Sequence, residues 1–254
     1  MIQVRLLRNA TLVLEINGKK ILVDPMLAPK DTYDPIIWTS NNIRNPMVEL
    51  PVNKEELDAI IAGADAVLIT HTHNDHWDVT AQQIIPSGKL LLGQPEDEAK
   101  FRQQGFTNIT SIQHTLDWEG IQITRTGAQH GTGEIGAKMA PVSGFVLNDG
   151  KESVYLAGDT IWCSDVEDAI DTYQPDMIVL NAGAAQFDMG DPIIMTEADV
   201  LLVCKKSKAN KIVCVHIEAI NHCYLKRPEL KQAIAEAGES ARCIVPADGE
   251  TVSL

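Results

Sequence analysis

Positively charged residues are scarce in this chain. Lys and Arg together number 21, against 35 Asp and Glu in 254 residues, and the formal net charge is −14. Proteins that bind nucleic acids hold the phosphates with clustered Lys and Arg, and the sequence has no such cluster. We therefore expect a small-molecule substrate and no nucleic-acid partner.

Long apolar runs are also absent. No run approaches the ~20 residues that a membrane-spanning helix needs. Residues 1–16 alternate polar and apolar side chains as strands do, and they lack the contiguous apolar core of a signal peptide. These absences predict a cytoplasmic protein with no membrane partner.

Cysteines are few and isolated. The chain has five: Cys163, Cys204, Cys214, Cys223 and Cys243. An odd number without an export signal is typical of free thiols in a reducing compartment and argues against a disulfide framework. Cys204 and Cys214 lie within apolar runs, and we expect both to be small core residues.

The pattern of polar and apolar residues predicts a series of short strands. Strands are expected at residues 3–8 and 11–16, followed by a tight turn at Asn17-Gly18. Further along, helix and strand signals alternate, which favours a sheet covered by helices. The length suits one large domain, which we assign to residues 1–254.

A long irregular segment at residues 26–51 interrupts this pattern. It contains four prolines and the aromatic residues Tyr33 and Trp38. Loops of this length inside a compact domain are uncommon and tend to be functional or disordered. The sequence leaves four roles open for this segment: a lid, a wall of the substrate pocket, a surface excursion or a contact in a homo-oligomer.

Four potential metal ligands follow the apolar strand that ends at Ile69. They are His71, His73, Asp75 and His76. The strand end holds the first of them rigidly, and a turn through Asn74 lets the others converge on one point. Zinc and related metals prefer imidazole nitrogens and carboxylate oxygens. Because the chain has only 7 histidines, this clustering points to a metal site.

The spacing of these ligands resembles the HxHxDH signature of the metallo-β-lactamase superfamily. Three further residues match the superfamily's pattern after predicted strands: His130 in a Gly-rich loop, Asp159 in a Gly-Asp-Thr sequence, and His216. The resemblance covers essentially the whole chain. It implies an α/β (α+β) fold, a four-layer αββα sandwich with the metals at one edge between the sheets.

The resemblance also implies a dinuclear site with three terminal ligands for each cation: His71, His73 and His130 for one, and Asp75, His76 and His216 for the other. Asp159 would bridge the two cations. Zinc is the first expectation, and Mn²⁺ or Fe²⁺ also suit a site without thiolates. A metal-bound hydroxide would be the nucleophile, with Asp75 or His222 handling the proton.

Several other residues keep more than one interpretation. His222, six positions after His216, suits substrate contact or proton donation, but also a bystander or an alternative ligand. Asp24 is expected to support the site structurally. Arg227 offers positive charge for an anionic substrate or simply begins a solvated helix. His114 has no partner pattern and is predicted to lie on the surface.

The expected function is hydrolysis of a small ester, lactone or phosphodiester. The chain most resembles the branch that includes ascorbate 6-phosphate lactonase-like proteins. Trp77 and Asp78 directly follow the motif. Glyoxalase II and many β-lactamases have small or glycine-rich sequences at these positions, so the chain departs from both. Two alternatives on the same fold are a non-enzymatic metal-binding domain and a di-iron redox protein. The complete ligand set disfavours the first, and His73, where such redox sites generally have Glu, disfavours the second.

Overall fold

Two mixed sheets of seven strands each form the centre of the protein. The computed structural model describes residues 1–254. In spatial order, the first sheet contains β14 (Thr251–Ser253), β1 (Gln3–Arg8), β2 (Thr11–Ile16), β3 (Lys19–Val23), β4 (Ala66–Ile69), β5 (Leu91–Gly93) and β6 (Ile109–Ser111). The second contains β13 (Cys243–Ile244), β12 (Lys211–Val215), β11 (Met177–Asn181), β10 (Ser153–Leu156), β9 (Gly144–Asn148), β8 (Ile121–Thr126) and β7 (Thr115–Trp118).

Seven α-helices accompany the strands. They are α1 (Lys54–Gly63), α2 (Val79–Ile84), α3 (Glu98–Gln103), α4 (Gly133–Met139), α5 (Ser164–Tyr173), α6 (Glu197–Lys206) and α7 (Arg227–Glu236). None of them combines the length and the apolar character that crossing a membrane requires. Thr196 caps α6 through a reciprocal capping box with Asp199, so this helix begins at Glu197.

Three apolar layers hold the sheets and helices together. A cluster of 23 buried residues fills the space between the sheets, with Leu14 of β2 and Phe145 of β9 among them. A second cluster joins the other face of the second sheet to α5, α6 and α7, and a third joins the first sheet to α1, α2 and α3. The four-layer αββα sandwich is thereby confirmed. Burial of each large apolar side chain contributes ~1.5–3 kcal/mol to this packing.

Local turn chemistry also matches the sequence. Asn17 and Gly18 both have positive φ angles, 50° and 72°, as the two-residue turn between β2 and β3 requires. Cys204 and Cys214 are buried and free, as predicted. Between His130 and the hairpin of β9 and β10 the chain forms the short helix α4.

The topology gathers several loops at one edge of the sandwich. Strands β3 and β4 are parallel, and so are β10, β11 and β12. Because the carboxyl ends of parallel strands point the same way, the loops that follow them meet at a common edge. These loops contain all but one of the predicted ligands; the exception, His130, follows β8.

Candidate metal centre

The ligand atoms of seven side chains converge at this edge. They form two groups, and within each group the atoms lie within 4.8 Å of one another: His71, His73 and His130 in the first, and Asp75, His76, Asp159 and His216 in the second. Asp159 joins the groups, because its Oδ2 lies 3.3 Å from Nε2 of His130 and 3.2 Å from Nε2 of His76. The structure therefore brings together all seven residues that the sequence predicts as ligands.

Neighbouring groups hold one ring nitrogen of His130 and one of His71 and leave the other facing the site. Nδ1 of His130 donates a hydrogen bond to the carbonyl oxygen of Ile193 at 2.8 Å, so Nε2 is left for a ligand. Nδ1 of His71 lies 3.1 Å from Oγ1 of Thr70. Nε2 of His71 and Nδ1 of His73 face each other at 2.9 Å. This set offers three nitrogens to one cation.

The second group depends on Asp24, which follows β3. Its Oδ2 accepts a hydrogen bond from Nδ1 of His76 at 2.9 Å, and its carboxylate also accepts from the backbone N–H and the hydroxyl of Thr70, each at 2.7 Å. These contacts orient His76 with Nε2 toward Asp159 and Asp75. Asp24 thus has the supporting position predicted for it.

The donor set fits divalent cations. Nε2 of His76 is buried and has no hydrogen-bond partner, although it points at carboxylate oxygens. Such an orphaned nitrogen beside two carboxylates is what a bound cation would satisfy. Asn181 fixes the shared carboxylate, because its Nδ2 donates to Oδ1 of Asp159 at 2.6 Å and leaves Oδ2 toward the histidines.

Electrostatics keep the carboxylates ionised. Burial alone would raise the pKa of Asp159 and Asp75, but His76 and His216 outweigh it and hold both pKa values well below the usual range. Burial likewise opposes protonation of His76, yet the surrounding carboxylates raise its pKa to about 10. Burial lowers the pKa of His73 to about 4, so this imidazole is in the neutral, coordinating form.

A cavity of about 270 Å³ opens over the two groups. Its lining includes His73, Asp75, His130 and Asp159 and apolar side chains from several loops. His222 also lines it; this residue is 5% exposed, and its Nδ1 is buried without a partner. Burial lowers the pKa of His222 to about 4, so its ring is uncharged at neutral pH.

Residues 26–51 contribute five side chains to the cavity lining: Met26, Tyr33, Asp34, Ile36 and Asn45. Arg8 is fully buried and anchors both ends of the segment by donating to the carbonyl oxygens of Met26 and Ala28, each at 2.8 Å, and of Val48 at 3.0 Å. Asn221 holds its middle, since Oδ1 accepts from the backbone N–H of Ile36 at 3.1 Å. The segment is therefore tied to the residue that precedes His222.

Sequence comparison identifies the family. The model of the beta-lactamase superfamily domain matches residues 19–217. The UPF0173 protein YddR of Bacillus subtilis is 41% identical over 253 residues, which cover 98% of each chain. The chain belongs to the UPF0173 family of the beta-lactamase superfamily.

Two solved structures share this fold over essentially the whole length of the chain. Superposition on the isothiocyanate hydrolase from Delia radicum gut bacteria gives a TM-score of 0.93 at 39% sequence identity and covers 99% of each chain. A possible metal-dependent hydrolase from Veillonella parvula superposes with a TM-score of 0.94 at 37% identity over the full length of both. The fold of this UPF0173 protein is thus that of proteins described as hydrolases.

Two residues that the sequence analysis discussed, Arg227 and His114, lie away from the candidate metal centre of this UPF0173 protein. Arg227 is held by Glu218, whose Oε2 accepts from NH1 at 2.9 Å, and by Asp248. It does not line the cavity, so it offers no cation to a substrate there. His114 is exposed, as predicted.

Sequence reasoning missed three residues that position the ligands: Asn9, Asn181 and Cys223. Asn181 directly follows β11 at the edge where the ligands gather, and this placement is a usable signal. Cys223 lies in contact with a ligand, because its Sγ is 3.5 Å from Nδ1 of His216. For Asn9 the sequence shows only an asparagine in a turn.

Proposed function

We propose that this metal-dependent hydrolase binds two divalent cations and hydrolyses a small organic molecule in the cavity above them. The observation that carries the proposal is the position of Asp159, whose Oδ2 lies within 3.3 Å of a histidine nitrogen from each ligand group. A carboxylate shared in this way suits a pair of cations ~3.5–4 Å apart.

The ligands would divide as the two groups do. His71, His73 and His130 would hold one cation; Asp75, His76 and His216 would hold the other. Zinc suits this set of nitrogens and oxygens, and Mn²⁺ or Fe²⁺ would also be accepted because no thiolate takes part. When bound, such a pair lowers the pKa of a coordinated water to about 7 and polarises the bond under attack.

The protein's own groups would manage the proton and the substrate. Asp75 is ionised and lines the cavity, so its carboxylate would orient the attacking water by accepting a hydrogen bond from it. His222 is neutral and has an unpartnered nitrogen at the cavity wall. A neutral imidazole in this position would donate a hydrogen bond to developing negative charge.

An isothiocyanate is the candidate substrate that the comparisons favour, because a full-length relative at 39% identity is described as an isothiocyanate hydrolase. Water would add across the C=N bond of R–N=C=S to give a thiocarbamic acid. Cleavage of its C–N bond, with a proton transferred to nitrogen, would release the amine R–NH₂ and carbonyl sulfide. Esters and lactones share the electrophilic carbon and stay in consideration.

The test is a substrate panel on protein loaded with Zn²⁺, Mn²⁺ or Fe²⁺. The panel contains phenyl isothiocyanate, 4-nitrophenyl acetate, a γ-lactone and bis(4-nitrophenyl) phosphate. We expect metal-dependent turnover of at least one carbon electrophile and its loss in Asp159→Ala. Protein that binds two cations yet hydrolyses none of these above background would overturn the proposal and favour the non-enzymatic metal-binding alternative.

The di-iron redox alternative has a separate test. The first ligand group contains His73 with its Nδ1 facing His71, so three imidazole nitrogens surround that position. We expect zinc-loaded protein, which has no redox chemistry, to be fully active. Activity that requires iron and an electron donor would support the redox alternative instead.

A further inference from the structure

We infer that the cavity selects substrates whose non-reacting part is uncharged and apolar, and that it rejects carboxylates and phosphate esters. The inference rests on the proposed hydrolysis and names the substrate class for the same site. Cations at the ligand groups would attract the reacting group of any substrate. The wall of the cavity therefore decides which substituent is accepted.

The wall is a packed apolar unit. Its apolar members come from four segments of the chain: Met26 and Ile36, Met139 of α4, Phe187 and Ile193, and Ile220. Met26, Ile193 and Ile220 are each 1% exposed and belong to one buried cluster, against which the other three pack. A charged substituent lying on this surface would lose its hydration without gaining a partner.

No Lys or Arg lines the cavity. Arg8 and Arg227 are bound to other groups: Arg8 donates to three backbone carbonyls, and Arg227 pairs with two carboxylates. Arg44 pairs with Asp34, the charged residue of the 26–51 segment that does line the cavity. The charged groups of the lining are thus all carboxylates, Asp34, Asp75 and Asp159, and none of them can form an ion pair with an anionic substituent.

The cavity is also small. At about 270 Å³ it lies at or below the lower end of the ~300–1,000 Å³ typical of small-molecule sites. A phenyl or allyl group fits such a volume. The cavity thus suits a small apolar substituent.

A matched pair of substrates tests the inference. 4-Acetylphenyl and 4-carboxyphenyl isothiocyanate have the same reacting group and similar size, but only the second is anionic at neutral pH. We expect kcat/KM, divided by the uncatalysed rate of each compound, to be at least ~100-fold lower for the carboxylate. 4-Nitrophenyl butyrate and mono-4-nitrophenyl succinate form the equivalent ester pair.

The outcomes separate this inference from the proposed function. Hydrolysis of both members of a pair at normalised rates within ~3-fold would overturn the inference while leaving the hydrolase intact. Hydrolysis of neither pair, by protein with two bound cations, would overturn the proposed function and the inference with it.

Substitution in the wall gives a second test. Ile36→Arg places a cation on the cavity wall, and the backbone of this residue stays bound to Asn221 through its N–H and its carbonyl. We expect the preference for the uncharged member to fall at least ~10-fold. Phe187→Arg provides an independent variant should the first fail to fold. Ile43→Arg is the control, because Ile43 is 50% exposed in the same segment and does not line the cavity; its preference should stay unchanged. An unchanged preference in both folded wall variants would contradict the inference.

Discussion

The backbone N–H of His216 donates a hydrogen bond to the carbonyl oxygen of Asn9 at 2.8 Å. The side chain of Asn9 donates in turn to the carbonyl oxygen of Asp75 at 3.0 Å. Asp75 and His216 follow strands of different sheets, and Oδ2 of one lies 3.1 Å from Nε2 of the other. One buried residue in the turn between β1 and β2 therefore sets the distance between two candidate ligands.

Asn9→Ala is predicted to weaken metal binding at the group that contains Asp75 and His216. The substitution removes the amide donor and places alanine at a φ of 57°, which asparagine tolerates better. We expect a ~10–100-fold loss of affinity for one of two cations in a competition titration, as is usual for residues that orient ligands.

Asn17→Ala is the control for this variant. Asn17 also occupies a hairpin turn with a positive φ of 50°, but its side chain donates to the carbonyl oxygen of Glu119, at the exposed surface. Both metal affinities should stay unchanged in it. Asn9→Gly keeps the backbone conformation and removes the side chain, so it should lose affinity as the alanine variant does. Full affinity in both Asn9 variants would refute the positioning role.

Asp24→Asn is predicted to weaken metal binding by ~10–100-fold without unfolding the protein. The amide keeps the shape of the side chain but loses the charge that holds Nδ1 of His76 protonated and Nε2 free for a metal. Metal affinity and circular dichroism should be measured together. Asp65→Asn, at a carboxylate that contacts Lys19 and Lys20 on the surface, should bind metal normally. Equal affinity in the two variants would contradict the role of Asp24.

Asp159→Ala is predicted to abolish hydrolysis and to weaken the binding of both cations. Without the shared carboxylate, two cations would repel each other and each would lose a ligand. His114→Ala should change neither property, because this histidine is exposed. Metal content and turnover of the two variants provide the comparison, and two tightly bound metals with normal turnover in Asp159→Ala would disprove the bridging assignment.

His222→Ala is predicted to keep its metals while turnover falls by ~10²–10⁴. The six terminal ligands already provide three places for each cation, so His222 is needed for the substrate and not for the metals. Its ring lies beside Phe187, with centroids 5.7 Å apart, on the cavity wall. A fall in metal content would make it a ligand, and unchanged kinetics would make it a bystander.

The fold and the clustering of the candidate ligands were predictable where the signal is local. The apolar strand before His71, the Gly-Asp-Thr sequence around Asp159 and the strand before His216 are contiguous patterns that need no knowledge of distant residues. The spacing of apolar residues and the identity of the turn residues predict such elements from a short stretch of sequence.

The features that the sequence did not predict depend mainly on contacts between distant parts of the chain. Strand β14, at the end of the chain, completes the first sheet by pairing with β1, and nothing in three residues predicts that partner. Arg8 and Asn9 bind segments that lie far along the chain, so their roles follow only from the assembled fold. Helix α4 has two glycines in seven residues, and low helix propensity concealed it.

Metal stoichiometry tests the central claim most directly. Protein purified without added metal, and the same protein after incubation with excess Zn²⁺ and removal of the unbound ion, should be compared by elemental analysis. The shared position of Asp159 between two ligand groups predicts two first-row divalent cations per chain in the incubated sample. One cation per chain would contradict the dinuclear site, and no bound metal even after incubation would contradict the metal centre itself.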